Sequence, residues 1–358
     1  MGLPLVSRVL MGLLVVAAFV IGGVSQQAVE ITDALGRVVR FERPPERLTL
    51  AGKGSFMLVD AAYMFTEARQ KIVAFAGGRQ LNVGWLALID PTFRQTKTIL
   101  EGQVGPEQIA ATKPDAVLLR AVEASKLGPA VERLGIPVVY LELETIVDQY
   151  LRDFKIMGQI MNNPQRAQAV IEFYQSRVLR IGARTRDLQE RPRVLVLNYT
   201  QQGGTIAVEV PSAAWIQTRM VELAGGNPVW KGAAQAGGWT VVTFEQIAAW
   251  NPDIIFVIDY AQDARAAVAR LRGDPLWQAL KAVKTNRIFG FPADFYSWDQ
   301  PDTRWILGLT WLATKLHPQL FADISVLDES RAFFRELYSL TDATINAQIL
   351  PVLKGDIP

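Results

Sequence analysis

The chain contains no cysteine and only one histidine among its 358 residues. Without a thiol there is no disulfide, no thiolate nucleophile, no sulfur-bound metal and no cysteine-borne lipid anchor. A lone histidine excludes a multi-histidine metal site, and a Ser–His–Asp triad would have to use His317. That residue stands in Leu316-His317-Pro318, where a helix is expected to end. An excess of charge is also missing. Lys and Arg number 37 against 35 Asp and Glu, the net charge is +2, and there is no dense basic run, so nothing favours a nucleic-acid partner. The chain has no G-x-G-x-x-G, no G-x-x-x-x-G-K-[ST] and no G-x-S-x-G. Asp and Glu are numerous, but spacing singles out no catalytic pair. No cofactor and no resident metal are expected.

Long apolar runs are scarce too. The one example, Val9 to Val24, is 16 residues long and follows Arg8, the only charge in the first 29 residues. It fits the core of a signal peptide and is short for a membrane span of about 20 residues. Residues 1–25 are therefore read as a signal peptide or N-terminal anchor. The rest of the chain is then exported, to the periplasm or the outer face of the cytoplasmic membrane.

What is present is a phrase used twice. Residues Pro106 to Leu119 read PEQIAATKPDAVLL, and Phe244 to Val257 read FEQIAAWNPDIIFV; Glu107 and Glu245 lie 138 residues apart. That spacing is too wide for a solenoid repeat and suits two lobes, each large enough for its own core. In each copy a glutamate opens a short amphipathic helix, where its carboxylate meets the positive end of the helix dipole. Pro114 or Pro252 stops the helix. Asp115 or Asp253 then leads into an apolar strand without polar alternation, as in a parallel sheet covered on both faces.

Strand and helix signals alternate elsewhere as well. Ile31 and Val38 to Phe41 flank an Asp33 to Gly36 turn and predict a hairpin. From Asn163-Pro164 a helical pattern runs to about Gln189; at about 1.5 Å per residue it is long enough to bridge two lobes. A strand Arg193 to Leu197 and a helix Ala213 to Leu223 follow it. The expected fold is α/β, with two Rossmann-like lobes of mainly parallel sheet joined by one long helix. The expected divisions are 26–162, 163–191 and 192–358.

In open α/β sheets ligands sit at the carboxyl ends of strands. That rule collects Lys53, Ser55, Arg79, Gln80, Arg120, Tyr199, Tyr260 and the loop Phe291 to Pro301 with Tyr296 and Trp298. Trp239 and Arg304 complete the candidate set. It is rich in cations, amides and aromatics and poor in convergent carboxylates, which favours an anionic ligand or chelate over a bare divalent ion.

The combination of these motifs resembles the substrate-binding proteins of ABC importers for iron–siderophore complexes, haem, cobalamin and certain metal oxyanions. The matching residues are Ile31 to Arg37 with Pro44-Pro45-Glu46-Arg47, then Glu107 to Asp115 with Leu134-Gly135-Ile136-Pro137. They continue with Glu245 to Asp253 and the closing Asn286-Arg287-Ile288-Phe289. The Phe291 to Trp311 segment is most similar to the molybdate- and tungstate-binding branch. The resemblance implies capture and delivery without bond chemistry by a monomer, and two lobes with little hinge movement. It also implies an acidic residue on each lobe, here Glu107 and Glu245, that docks onto the importer's permease. The competing classes are an exported carboxylate-dependent hydrolase and a ligand-sensing receptor.

Overall fold

The computed structural model describes residues 1–2, 28–144, 147–202 and 205–357. The expected signal peptide or anchor lies almost wholly outside them. Among the described residues no helix is long and apolar enough to cross a membrane.

The chain opens with the hairpin of β1 (Val29–Thr32) and β2 (Val38–Phe41), paired antiparallel. Five strands then form the first sheet: β3 (Leu48–Leu50), β4 (Ile72–Ala76), β5 (Thr98–Leu100), β6 (Ala116–Arg120) and β7 (Val138–Leu141). All neighbours are parallel, in the order β5-β4-β3-β6-β7. The order reverses at β3, between β4 and β6, and such a reversal opens a crevice beyond the strand ends. The strands β3, β6 and β7 are buried along their whole length, which explains why they are largely apolar, with Thr49 and Arg120 the polar exceptions.

Two helices leave the first lobe. Asp148–Met161 ends on Asn162 in the left-handed conformation. Pro164–Thr185, of 22 residues, then starts with Pro164 in its first turn and the Asn163 side chain accepting the Arg166 N–H. Both are the start signals visible in the sequence. This helix links the two sheets.

The second sheet contains β8 (Arg193–Gln202), β9 (Thr205–Val210), β10 (Asn227–Pro228), β11 (Thr240–Val241), β12 (Ile254–Ile258) and β13 (Ile288–Gly290). The order is β11-β9-β8-β12-β13, with β10 beside the start of β8. It differs from the expectation in one respect. Instead of stopping at Leu197, β8 continues to Gln202 and turns back as β9, so β8-β9 and β9-β11 pair antiparallel while β8-β12-β13 stay parallel. The alternating residues of Thr205 to Val210 and the glycine pair before them favour a hairpin. The helix expected from Ala213 begins at Ile216.

The apolar interior does not divide as the sheets do. One cluster of buried side chains runs through both lobes, and a smaller one lies within the first sheet. Aromatic contacts cross between the lobes: Tyr150 and Tyr174 meet Trp305, and Trp85 meets Phe295, Phe334 and Tyr338.

A candidate ligand cleft between the lobes

The strand ends of both sheets face a cavity of about 800 Å³. The first lobe contributes Arg79 and Gln80 after β4, Arg120 at the tip of β6, Met57 and Glu144. Arg120 is anchored. Its Nε donates to the Glu142 carbonyl at 3.0 Å and its Nη2 to Glu144 Oε2 at 3.3 Å. Its guanidinium passes so close to Gly54 that a Cβ there would lie 2.9 Å from Nη1, and Gly54 has φ +73°, so both space and backbone demand glycine. Arg79 is different: its side chain has no hydrogen-bond or ion-pair partner among the described residues, and it offers the cavity an uncompensated cation.

The second lobe contributes Ser212, Trp215, Gln217, Trp239, Asp259 and Tyr260. The rings of Trp215 and Trp239 lie 5.5 Å apart at 83°, and those of Trp239 and Tyr260 lie 6.2 Å apart at 69°. Behind them is a buried carboxylate. Asp299 accepts from Tyr260 Oη at 2.5 Å, Ser297 Oγ at 2.5 Å and Gln217 Nε2 at 2.9 Å. Burial pushes the Asp299 carboxyl above its usual range, and the Gln217, Ser297 and Tyr260 hydrogen bonds oppose that rise.

The floor is the loop from Ala293 to Pro301, held from both lobes. Tyr296 Oη accepts the Asn82 N–H at 3.0 Å, Asn82 Nδ2 donates to the Phe295 carbonyl at 3.1 Å, and Phe56 stacks on Tyr296 with centroids 5.4 Å apart. Lys354, from the chain's end, reaches the rim because its backbone pairs with Ala293.

Of the residues expected from sequence, Arg79, Gln80, Arg120, Trp239, Tyr260 and Tyr296 line this cavity. Five others do not. Lys53 lines a separate depression with Gly52, Gly77, Glu123 and Lys126. Ser55 is buried and donates to the Ala76 carbonyl at 3.2 Å. Tyr199 is a core residue of β8. Trp298 is fully buried, its indole N–H donating to Asp294 at 3.0 Å. Arg304 is 0% exposed and lies in an ion triad, 2.7 Å from Asp60 of the first lobe and 2.6 Å from Asp294 of the second. Its guanidinium is also sandwiched over the rings of Trp85 and Tyr296. Arg304 thus joins the two lobes from a fully buried position. Nearby, burial drives Asp302 well above the carboxylate range, and the Arg304 charge offsets this only in part. Trp215, Gln217 and Lys354 line the cleft although no strand-end rule selects them.

Among the described residues no group of three or more His, Asp or Glu side chains is placed to hold a metal ion. Glu107 and Glu245 are exposed at the starts of the helices Pro106–Ala111 and Phe244–Trp250.

Two facing α/β lobes, one connecting helix and a polar-aromatic cleft define a solute-binding architecture. Residues 54–295, more than half of the chain, match the periplasmic binding protein family, and the chain belongs to that family. It is 24% identical over 264 residues to the molybdate-binding protein MolA of Haemophilus influenzae, covering 67% of this chain and 72% of that protein. It is also 24% identical over 189 residues to an iron-uptake system-binding protein of Bacillus subtilis, covering 51% and 56%. A periplasmic solute binding protein from Veillonella parvula shares the fold with a TM-score of 0.72 at 23% identity, over 91% of this chain and 98% of that one.

Proposed function

We propose that this protein, exported and monomeric, captures an anionic metal chelate between its lobes and delivers it unchanged to the permease of an ABC importer. The observation that carries this reading is a cavity of about 800 Å³ with an unpaired arginine on one wall and aromatic rings on the other. That volume is typical of sites for drug-sized ligands, ~300–1,000 Å³. A bare tetrahedral oxyanion displaces the volume of only a few waters, at ~30 Å³ each, and would leave most of the space wet. The relatives named for molybdate and for iron uptake support a metal-bearing solute of one kind or the other.

The test is calorimetric titration with ferric catecholate and citrate chelates, haem, cobalamin, molybdate and tungstate, with recovery of the ligand. A chelate is expected to bind with Kd in the micromolar range or below and to be recovered intact. Arg79→Ala and Arg120→Ala should each weaken it at least ten-fold, since a charge-assisted hydrogen bond is worth ~1.5–3 kcal/mol and ten-fold is ~1.4 kcal/mol. Tight binding of molybdate with none of any chelate would replace this reading with the oxyanion one, and a chemically altered ligand would favour a hydrolase.

A further inference from the structure

The two walls of the cleft ask for different chemistry. The first wall carries a net positive charge: Arg79 is unpaired, and Arg120 lines the same space with Glu144 as its ion-pair partner at 3.3 Å. The second wall holds acceptors that no protein donor satisfies. Gln217 is 4% exposed, and its amide nitrogen donates to Asp299 Oδ2 at 2.9 Å. An acceptor-only carboxylate selects the NH₂ end of the amide, so the carbonyl end, Oε1, is left over. Gln217 lines the cavity, yet Oε1 is buried without a hydrogen-bond partner. A buried acceptor of this kind is rare without a ligand or solvent to fill it. Asp259 lines the same wall. Its Oδ1 accepts the N–H groups of Ala261 at 2.9 Å and Gln262 at 3.0 Å, which leaves Oδ2 without a protein donor among the described residues.

Three aromatic rings accompany these two acceptors. Trp215, Trp239 and Tyr260 meet at steep angles, as the sides of a box do, rather than stacking flat. Tyr260 donates its hydroxyl to the buried Asp299 carboxyl, which fixes the ring at the cavity's edge. Ring faces attract cations through their quadrupole, and an unpaired carboxylate adds to the attraction. Aromatic faces with free acceptors suit a group that is both positively charged and a hydrogen-bond donor.

We infer that the wall formed by Trp215, Gln217, Trp239, Asp259 and Tyr260 is a subsite for an ammonium-type group on the ligand, so that the cleft selects a dipolar chelate with an anionic centre and a cationic arm. The inference rests on the chelate reading above and adds to it the orientation of the ligand. Its anionic centre faces Arg79 and Arg120, and its arm enters the aromatic corner, where an N–H reaches Gln217 Oε1 or Asp259 Oδ2. This would make the second lobe the specificity-determining half of the site.

A matched pair of probes tests it: a ferric tris-catecholate chelate with a terminal primary amine, and the same chelate with that amine acetylated. Wild-type protein is expected to bind the free amine roughly ten-fold more tightly, a difference within reach of one cation–π contact and one charge-assisted hydrogen bond. The preference should fall towards unity in Gln217→Met and in Trp239→Leu, a partly buried residue of the same wall, whatever the change in overall affinity. The second variant guards against misfolding from loss of the Asp299 contact in the first. Equal affinities for the two probes in wild-type protein, or a preference retained in both variants, would overturn the subsite and leave the chelate reading standing. Binding of neither probe alongside tight binding of molybdate would overturn both.

Discussion

The two copies of the repeated segment are built by the same contacts, and the cleft is made from parts that differ. Behind the first helix, Asp115 accepts the backbone N–H groups of Glu46 and Arg47, and the Arg47 side chain donates to the carbonyls of Thr112 and Lys113. Behind the second, Asp253 accepts the N–H of Arg193, whose side chain donates to the Trp250 carbonyl. In each lobe one carboxylate ties the start of a central strand to the next strand, and one arginine closes the end of the helix. At the start of each helix a glutamine side chain accepts the N–H three residues before it, of Gly105 or Thr243. Away from these shared contacts the lobes diverge. The first presents cations on parallel strand ends, whereas the second inserts a hairpin and long loops that carry Trp215 and Trp239. The repeated strands bring Arg120 in one lobe and Asp259 and Tyr260 in the other to the cleft, and the unshared segments add Arg79, Trp215 and Trp239.

The comparison can be broken most severely at a joint that belongs to neither copy. Arg304→Met would leave Asp60 and Asp294 buried without their cation, at a cost of about 3–5 kcal/mol, visible as a lower midpoint in urea unfolding. A loss under about 1 kcal/mol would show that the lobes do not depend on this triad. The shared frame should respond less and alike in both lobes. Asp115→Ala and Asp253→Ala are each expected to cost about 1–3 kcal/mol, the penalty of stranding amide donors at the strand start. The second also carries a pH signature. Burial alone would raise the Asp253 carboxyl, but the Lys281 ammonium and the Arg193 amide outweigh it and hold the group below the usual carboxylate value. Its contribution is therefore complete above the ordinary carboxylate pKa and is lost as pH falls through the depressed value. Denaturation of Asp253→Ala against wild type should converge at acid pH, and a gap that persists there would contradict the assignment. The smallest folding effect is expected at the exposed helix starts. Glu107→Lys with Glu245→Lys should change stability by about 1 kcal/mol per site or less. Transport by a reconstituted importer should nevertheless be lost through like-charge repulsion at the permease, with ligand affinity intact. Transport at the wild-type rate would move the docking surface elsewhere.

The frame was readable in the chain because its signals are local. Proline, glycine and capping residues mark the ends of the strands around the repeats, and Asn163-Pro164 marks the start of the long helix. The hairpin of β8 and β9 also had its signal in Gly203-Gly204, between strand-like residues. The ligand walls were readable only where they are strand ends: Arg79, Gln80, Arg120 and Tyr260 follow from that rule. Trp298, Tyr199 and Arg304 carry the same residue chemistry, but tertiary packing turns them inward, and no local pattern tells a buried arginine from a ligand-facing one. Lys354 reaches the cleft through pairing of the chain's end with Ala293, a contact between segments about 60 residues apart.

The stitched floor gives the cleft a fixed calibre. Asn82 grips Phe295 and Tyr296 across the lobe boundary, and Arg304 lies clamped beneath them among Asp60, Asp294 and two rings. Opening such a floor would mean exposing apolar surface and parting buried charges, a cost that opposes a wide swing of the lobes. A solute matched to that spacing would cost the protein little further freedom on arrival. On the proposed function, discharge would then call for leverage from a partner. The helices that begin with Glu107 and Glu245 start on the same side of their sheets as the cavity, where a partner gripping both lobes would have the longest arm.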